Sequence, residues 1–358
     1  MTHPSPTNPA PLPFVQVLDH GIHVIDTGFY RPLFDASYLI VDGGRAAFID
    51  TGTNHSVPRL LQALEAAGLT PDAVDWVIAT HVHLDHAGGV GLLMQQLPKA
   101  MLVVHPHGAA HLIDPTRLVQ GACAVYGAEE VARSYGDIVG VPAARVLRSE
   151  DGMTITLGAN QRPLTLLDTP GHARHHHCIW DARSSGFFSG DTFGLSYSEF
   201  NTVRGAWLMP TTTPVQFEPQ PMRNSVQRML AYEPQRLYPT HYGSIGADAA
   251  DVRRMAELML TQLDAMVALG ESLSELSADA RHAALMSGFA AIHLASLRAH
   301  GCTLSEADIN ALLDLDGVLN AQGMAIWLDK RQRAAAAAPA PTAAAAPAPA
   351  PAPAAALT

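Results

Sequence analysis

The sequence predicts a mixed α/β domain followed by an all-helical segment, and three observations carry that reading. Short apolar, β-branched runs recur between Phe14 and about Gly246, each closed by a Gly, a Pro or a polar turn. Helical patterning fills the intervals between them. Beyond Gly246 the short runs stop and apolar residues recur only at helical spacing. Pattern alone supports no more than this.

In chain order, residues 1–13 are Pro-rich and are expected to be a flexible N-terminus. Strands are predicted over Tyr38–Val41, Ala46–Asp50, Val74–Ala79, Met101–Val104, Thr154–Leu157, Leu164–Leu167 and Cys178–Trp180. Further apolar runs lead into FFSGD at 187–191 and RLYPTHYG at 236–243. A helix through Leu92, Leu93 and Leu97 is ended by Pro98. The domain at 14–246 then gives way to a helical appendage at 247–333. There Val252, Met255, Met259, Leu263 and Met266 mark one buried helix face, and Ala278–His300 reads as a second helix. Thr303-Leu304-Ser305-Glu306 has the form of a capping box opening a third, and a fourth lies near Gly323–Leu328. Residues 334–358 are Ala and Pro apart from Thr342, Leu357 and Thr358, which predicts a disordered tail because such a stretch cannot bury a core.

Composition narrows the function classes. The chain has 358 residues, 48% of them hydrophobic, which is enough for one large core with an appendage. It contains no apolar run approaching the roughly 18 residues a membrane span needs. The formal charge of −11, with 22 Lys and Arg, would repel a polyanionic backbone and argues against a nucleic-acid partner. Cys123, Cys178 and Cys302 are far apart and odd in number, so they read as buried free thiols in a reducing, cytoplasmic compartment.

The chemistry is concentrated at strand ends. THVHLDH at 80–86 follows the apolar run Val74–Ala79 and presents His81, His83, Asp85 and His86 on a loop ahead of a helix. Neutral imidazoles and a carboxylate in that spacing are ligand types suited to zinc or iron. LTLLDTPGH delivers His172, FFSGD delivers Asp191 and RLYPTHYG delivers His241, each beside a Gly or Pro that lets the backbone turn sharply.

With these motifs together, the chain resembles the metallo-β-lactamase-fold metallohydrolases over roughly residues 14–245: H-x-H-x-D-H, G-H, G-D and T-H stand in the family's order. The resemblance implies a four-layer αββα sandwich. It also implies two divalent metal ions, Zn2+ first, with Fe or Mn as alternatives. His81, His83 and His172 would hold the first, Asp85, His86 and His241 the second, and Asp191 would bridge them. Asp50, at the end of AAFID, matches an acidic residue that supports the histidine loop. His176 falls where glyoxalase-like relatives have a supporting histidine, while His175 and His177 flank a strand. True β-lactamases generally lack the bridging aspartate and are exported; here Asp191 is present, and MTHPSPTNPAPLPF has no leader pattern. Flavodiiron relatives carry an acid where this chain has His83. The full ligand set points to the glyoxalase II and lactonase branch.

The expected activity is hydrolysis of a small ester-like substrate, thioester or lactone, by a hydroxide shared between the metals, with Asp85 moving the proton. Phe193, Tyr197, Phe200, Trp207, Leu208, Met209 and Phe217 are candidates for an apolar pocket wall or for core, and the Tyr197 phenol is the candidate donor to the oxyanion. The stretch 105–126 is expected to shape the rim. Partners are a small-molecule substrate and a second copy of the chain through the helical appendage. Phosphodiester hydrolysis, mononuclear-iron sulfur dioxygenation and non-catalytic metal sensing stay open as alternatives.

Overall fold

The β-branched and aromatic runs pair into two sheets in the computed structural model, which describes residues 12–337. The first sheet holds β1 (Val15–Val17), β2 (Ile22–Asp26), β3 (Ala36–Asp42), β4 (Arg45–Ile49), β5 (Val74–Ala79), β6 (Met101–Val104) and β7 (Val146–Arg148), in that spatial order. β1 to β4 are antiparallel hairpin neighbours, and β4 to β7 run parallel because helices cross between them. The second sheet holds β8 (Thr154–Leu157), β9 (Arg162–Asp168), β10 (His177–Asp181), β11 (Gly186–Phe188) and β12 (Arg236–Tyr238), with only β11 and β12 parallel.

Side-chain alternation gives each sheet two apolar faces, and that requires four layers. Between the sheets lie Val24, Tyr38, Ile40, Ile78 and Val103 from one side and Leu164, Leu166, Ile179 and Phe188 from the other. The outer face of the first sheet, through Leu39, Phe48, Val77 and Leu102, packs on helix residues Leu60, Leu64, Val90 and Leu93. The outer face of the second, through Leu167, Cys178, Phe187 and Leu237, packs on Val226, Met229, Val252 and Met255. The αββα architecture is therefore the one the resemblance implies.

That last contact joins the helical segment to the sandwich. The helix Ala249–Ser272 buries Val252, Met255, Met259, Leu263 and Met266, as its periodicity predicts. Its first half is the outer layer of the second sheet, and its second half meets Leu285, Phe289, Met324 and Leu328 of the later helices. A division at residue 246 thus falls inside a continuous core. Ala278–His300 is helical throughout, while the helix Glu306–Leu312 is capped by Ser305, whose hydroxyl accepts from Asp308 N–H, and not by Thr303. The last helix runs over Asp314–Ala337, longer than the helix predicted near Gly323–Leu328, so residues 334–337 are helical and the remainder of the predicted tail lies outside the described residues. Most of the predicted N-terminal segment, residues 1–11, lies outside them too. No helix among the described residues is long and apolar enough to cross a membrane. Cys178 and Cys302 are buried, and Cys123 is half-buried.

One ion pair is sealed inside the second sheet. Arg162 Nε donates to Asp181 Oδ1 at 3.0 Å, both side chains being fully buried. Removing one partner strands the other's charge. Arg162→Ala is therefore expected to lower unfolding free energy by about 3–5 kcal/mol in urea titration; a loss under about 1 kcal/mol would mean that water reaches the vacated site.

Candidate metal centre

The ligand-bearing strands all point one way. β4 and β5 are parallel, as are β11 and β12, and β9 runs with β11 because β10 is antiparallel to both. Asp50, the THVHLDH segment, His172, Asp191 and His241 therefore leave strands at one edge of the sandwich. The backbone there depends on glycine. Gly171 and Gly190, just ahead of His172 and Asp191, have φ of +144° and +48°, and a Cβ on Gly171 would lie 2.2 Å from Met222 Cα. Asp85 and His86 sit on a short helix, Leu84–Ala87, where the sequence suggested loop.

Two groups of donors converge at this edge. His83 Nδ1 lies 2.9 Å from His81 Nε2 and 3.0 Å from His172 Nε2. Beside it, Asp85 Oδ2 lies 3.5 Å from His241 Nε2 and 3.7 Å from His86 Nε2. Asp191 stands between the groups: Oδ2 is 3.5 Å from His172 Nε2, and Oδ1 is 3.3 Å from His86 Nε2. Each trio is compact enough to hold one ion, and so is the trio of His81, His86 and Asp191. Buried His86 Nε2 and Asp191 Oδ1 have no hydrogen-bond partner among the described residues, a costly arrangement that a shared cation resolves. The donor set fits a pair of divalent ions.

The electrostatics differ across the pair. Burial holds the pKa of His81 well below the ordinary range, that of His83 at about 3 and that of His172 at about 4, so all three are neutral donors. Burial also opposes charge on His86 and His241, but carboxylates outweigh it: Asp191, Asp85 and Asp50 raise His86, and Asp35 and Asp191 raise His241.

Outer partners fix the rings. Asp50 accepts from Thr80 N–H at 2.7 Å, Thr80 Oγ1 at 2.8 Å and Thr240 Oγ1 at 2.7 Å, and it sits 2.9 Å from His86 Nδ1. It thereby ties the histidine loop to the segment carrying His241. Asp35 Oδ1 lies 2.8 Å from His241 Nδ1, a charge contact that sets a buried carboxylate behind that ring as Asp50 stands behind His86. Asp35 was not foreseen, since nothing in its neighbourhood reads as a motif. His176 Nε2 accepts from Asp191 N–H at 3.2 Å, a supporting position. His177 bonds Ser149 and the Ala79 carbonyl at the strand edge, and His175 faces the cavity.

Over the donors lies a cavity of about 340 Å³, within the range of small-ligand pockets. Its apolar wall is Phe29, Phe34, Leu118, Tyr126, Leu315 and Leu319, and Arg117 and Asp316 are charged-type residues on it. The rim expected from residues 105–126 is present in His111, Arg117, Leu118 and Tyr126. The aromatics of 193–217 go elsewhere. Phe193 and Leu208 pack under the helix Ala249–Ser272, Phe200, Trp207 and Met209 pack on the helix Ala278–His300, and Phe217 packs against the last helix. From that segment the cavity receives Leu195 and parts of 211–216 instead. Tyr197 does not reach it. The ring is fully buried, stacked on Phe34 at 5.3 Å, and its hydroxyl donates to Asp316 at 3.1 Å. An apolar sequence context could not reveal which way the phenol turns.

Comparison with known proteins agrees with this geometry. The family described as the metallo-beta-lactamase superfamily matches residues 30–241. A metallo-beta-lactamase fold-containing protein of Sulfurisphaera tokodaii is 25% identical over 72% of this chain and 91% of its own length. An acyl-coenzyme A thioesterase of Gallus gallus is 31% identical over 49% of this chain and 63% of its own, and a hydroxyacylglutathione hydrolase of Xanthomonas campestris is 28% identical over 45% and 48%. Among solved structures, a metallo-beta-lactamase family protein of Thermus thermophilus superposes with a TM-score of 0.60 at 20% identity, covering 87% of this chain and 94% of that one. With the family match spanning more than half the chain and its metal-competent residues converging at one sheet edge, the chain belongs to the metallo-beta-lactamase superfamily.

Proposed function

We propose that the chain hydrolyses a small ester-like substrate, a thioester or a lactone, with two divalent ions held by His81, His83 and His172 and by Asp85, His86 and His241, with Asp191 between them. Zn2+ is the first choice of metal, with Fe and Mn compatible with the same donors. The observation that carries the reading is the pair of donor trios sharing Asp191 beneath a mainly apolar cavity. Ions there would lower the pKa of water toward neutrality and polarise a carbonyl.

The chain's own residues supply the rest. Asp50 and Asp35 hold the His86 and His241 rings against rotation, and His176 fixes the backbone that aims Asp191. The apolar wall keeps bulk water from the acyl group, which strengthens every polar contact inside. Asp85 is the one carboxylate of the donor set that is partly exposed, at 24% of its side chain, and it is placed to accept the proton of the attacking water. The names of two relatives, a thioesterase and a hydroxyacylglutathione hydrolase, support an acyl substrate over a phosphodiester.

The test is turnover of a panel of thioesters, lactones and phosphodiesters by protein stripped with a chelator and then reloaded with counted metal. Expected are activity on the acyl substrates only, loss with the chelator, and recovery at two ions per chain. Turnover confined to phosphodiesters, or one iron per chain with oxygen uptake, would overturn the reading.

A further inference from the structure

The first turn of the helix Asp314–Ala337 enters the cavity wall, and what it carries there is a carboxyl group. Asp316 is buried, lines the cavity between Leu315 and Leu319, and belongs to neither donor trio. Its two oxygens take the Tyr197 hydroxyl at 3.1 and 3.2 Å. Tyr197 cannot swing away: Phe34 stacks on the ring, and the Arg31 guanidinium lies 4.8 Å from the ring centre. The helix itself is fastened by Thr212, next to the cavity residues Thr211 and Thr213: its N–H donates to Asn320 Oδ1 at 2.6 Å and its hydroxyl to the Asn320 carbonyl at 2.8 Å. A carboxyl held this firmly in an apolar wall, with a phenol as its partner and no salt bridge among the described residues, is built for a task.

We propose that Asp316 is the general acid of the reaction, the group that touches the leaving atom and protonates it; this rests on the hydrolase reading above. Water oxygen adds to the acyl carbon, the bond from that carbon to the leaving oxygen or sulfur breaks, and the released electron pair takes the Asp316 proton. Asp85 takes the proton lost by the water and releases it to solvent, from which Asp316 is reprotonated, so that one water is consumed for each bond broken. Burial pushes the Asp316 pKa up to about 7, against the opposing pull of His241, Tyr197 and Arg31 and with a further push from Asp191. The geometry agrees with that direction, since the carboxyl has a neutral phenol and no cation as its partner among the described residues.

Asp316→Asn keeps the volume and an acceptor for Tyr197 but cannot give a proton. For metal-loaded protein, kcat on alkyl esters, whose alkoxides leave poorly, is expected to fall about 10²-fold to 10⁴-fold. On 4-nitrophenyl esters, whose leaving group needs no proton, it should stay near the wild-type value. An equal loss across the series would assign Asp316 to structure alone, and no loss on either would remove it from the reaction. A readout independent of turnover is esterification of the carboxyl by a small diazoacetamide at pH 6, mapped by peptide mass spectrometry. Label on Asp316 is expected; an unlabelled Asp316 overturns the placement of a protonated carboxyl on the cavity. Wild-type protein that hydrolyses none of the esters, yet is labelled at Asp316, would count against the hydrolase reading and not against that placement.

Discussion

Asp191→Ala is expected to give a protein that folds, binds at most one metal ion per chain, and loses turnover by at least about 10³-fold, since metal activation of water is what the second ion completes. Asp191 approaches both trios, through Oδ2 to His172 and Oδ1 to His86. Removing any other ligand leaves a trio reduced by one; removing Asp191 takes a donor from both ions and lets their charges face each other unscreened. The fold should survive, because the backbone N–H of residue 191 still donates to His176 and the Asp50 contacts are untouched. Metal content by plasma mass spectrometry and melting temperature read the two halves of the prediction. Two ions per chain with full activity would show that the bridging assignment is wrong.

Asp50→Ala should act in the opposite manner, on stability first. Four donors converge on that carboxylate, from Thr80 twice, Thr240 and His86, and the site is fully buried. Alanine leaves all four without an acceptor, and breaking one buried charged contact of this kind costs about 3–5 kcal/mol, a large part of an ordinary domain's 5–15 kcal/mol. Freed from its anchor, the His86 ring would rotate, and metal affinity should drop about 10-fold to 100-fold. Urea unfolding and competition against a metal-sensitive dye measure the two effects. Unchanged stability would mean that water or a neighbouring acceptor replaces the carboxylate.

The seven metal-competent residues were legible because their chemistry is tied to spacing. A histidine or aspartate just past an apolar strand has few structural uses, and four such strand ends in one chain restrict the fold as well as the site. The supporting residues were legible only in part. Asp50 closes a strand and reads as a motif, whereas Asp35 lies in a loop whose approach to His241 depends on the register of β3 against the segment after β12. Tyr197 illustrates a different limit. Composition marks an aromatic as apolar bulk with a polar tip, but the direction of that tip follows from packing against Phe34 and from a carboxylate 119 residues away. Asp316 offered no signal at all, since an acid in the first turn of a helix is an ordinary stabilising choice. The packing of the helix Ala249–Ser272 was illegible for a related reason: one helix face buried along its whole length looks the same whether it covers a sheet, other helices or, as here, both in turn.

Asp316 also sets an order of events in the making of the protein. On the ribosome the chain is made from its amino end, so every metal-competent donor, ending with His241, is synthesised about 100 residues before the helix Asp314–Ala337 is complete, roughly 5–20 s earlier at ordinary elongation rates. Through that interval the cavity lacks the part of its wall that Leu315, Asp316 and Leu319 supply. A chain clipped ahead of Asp314 would therefore keep every metal-competent donor and lose the acid that the proposal above assigns to the leaving atom.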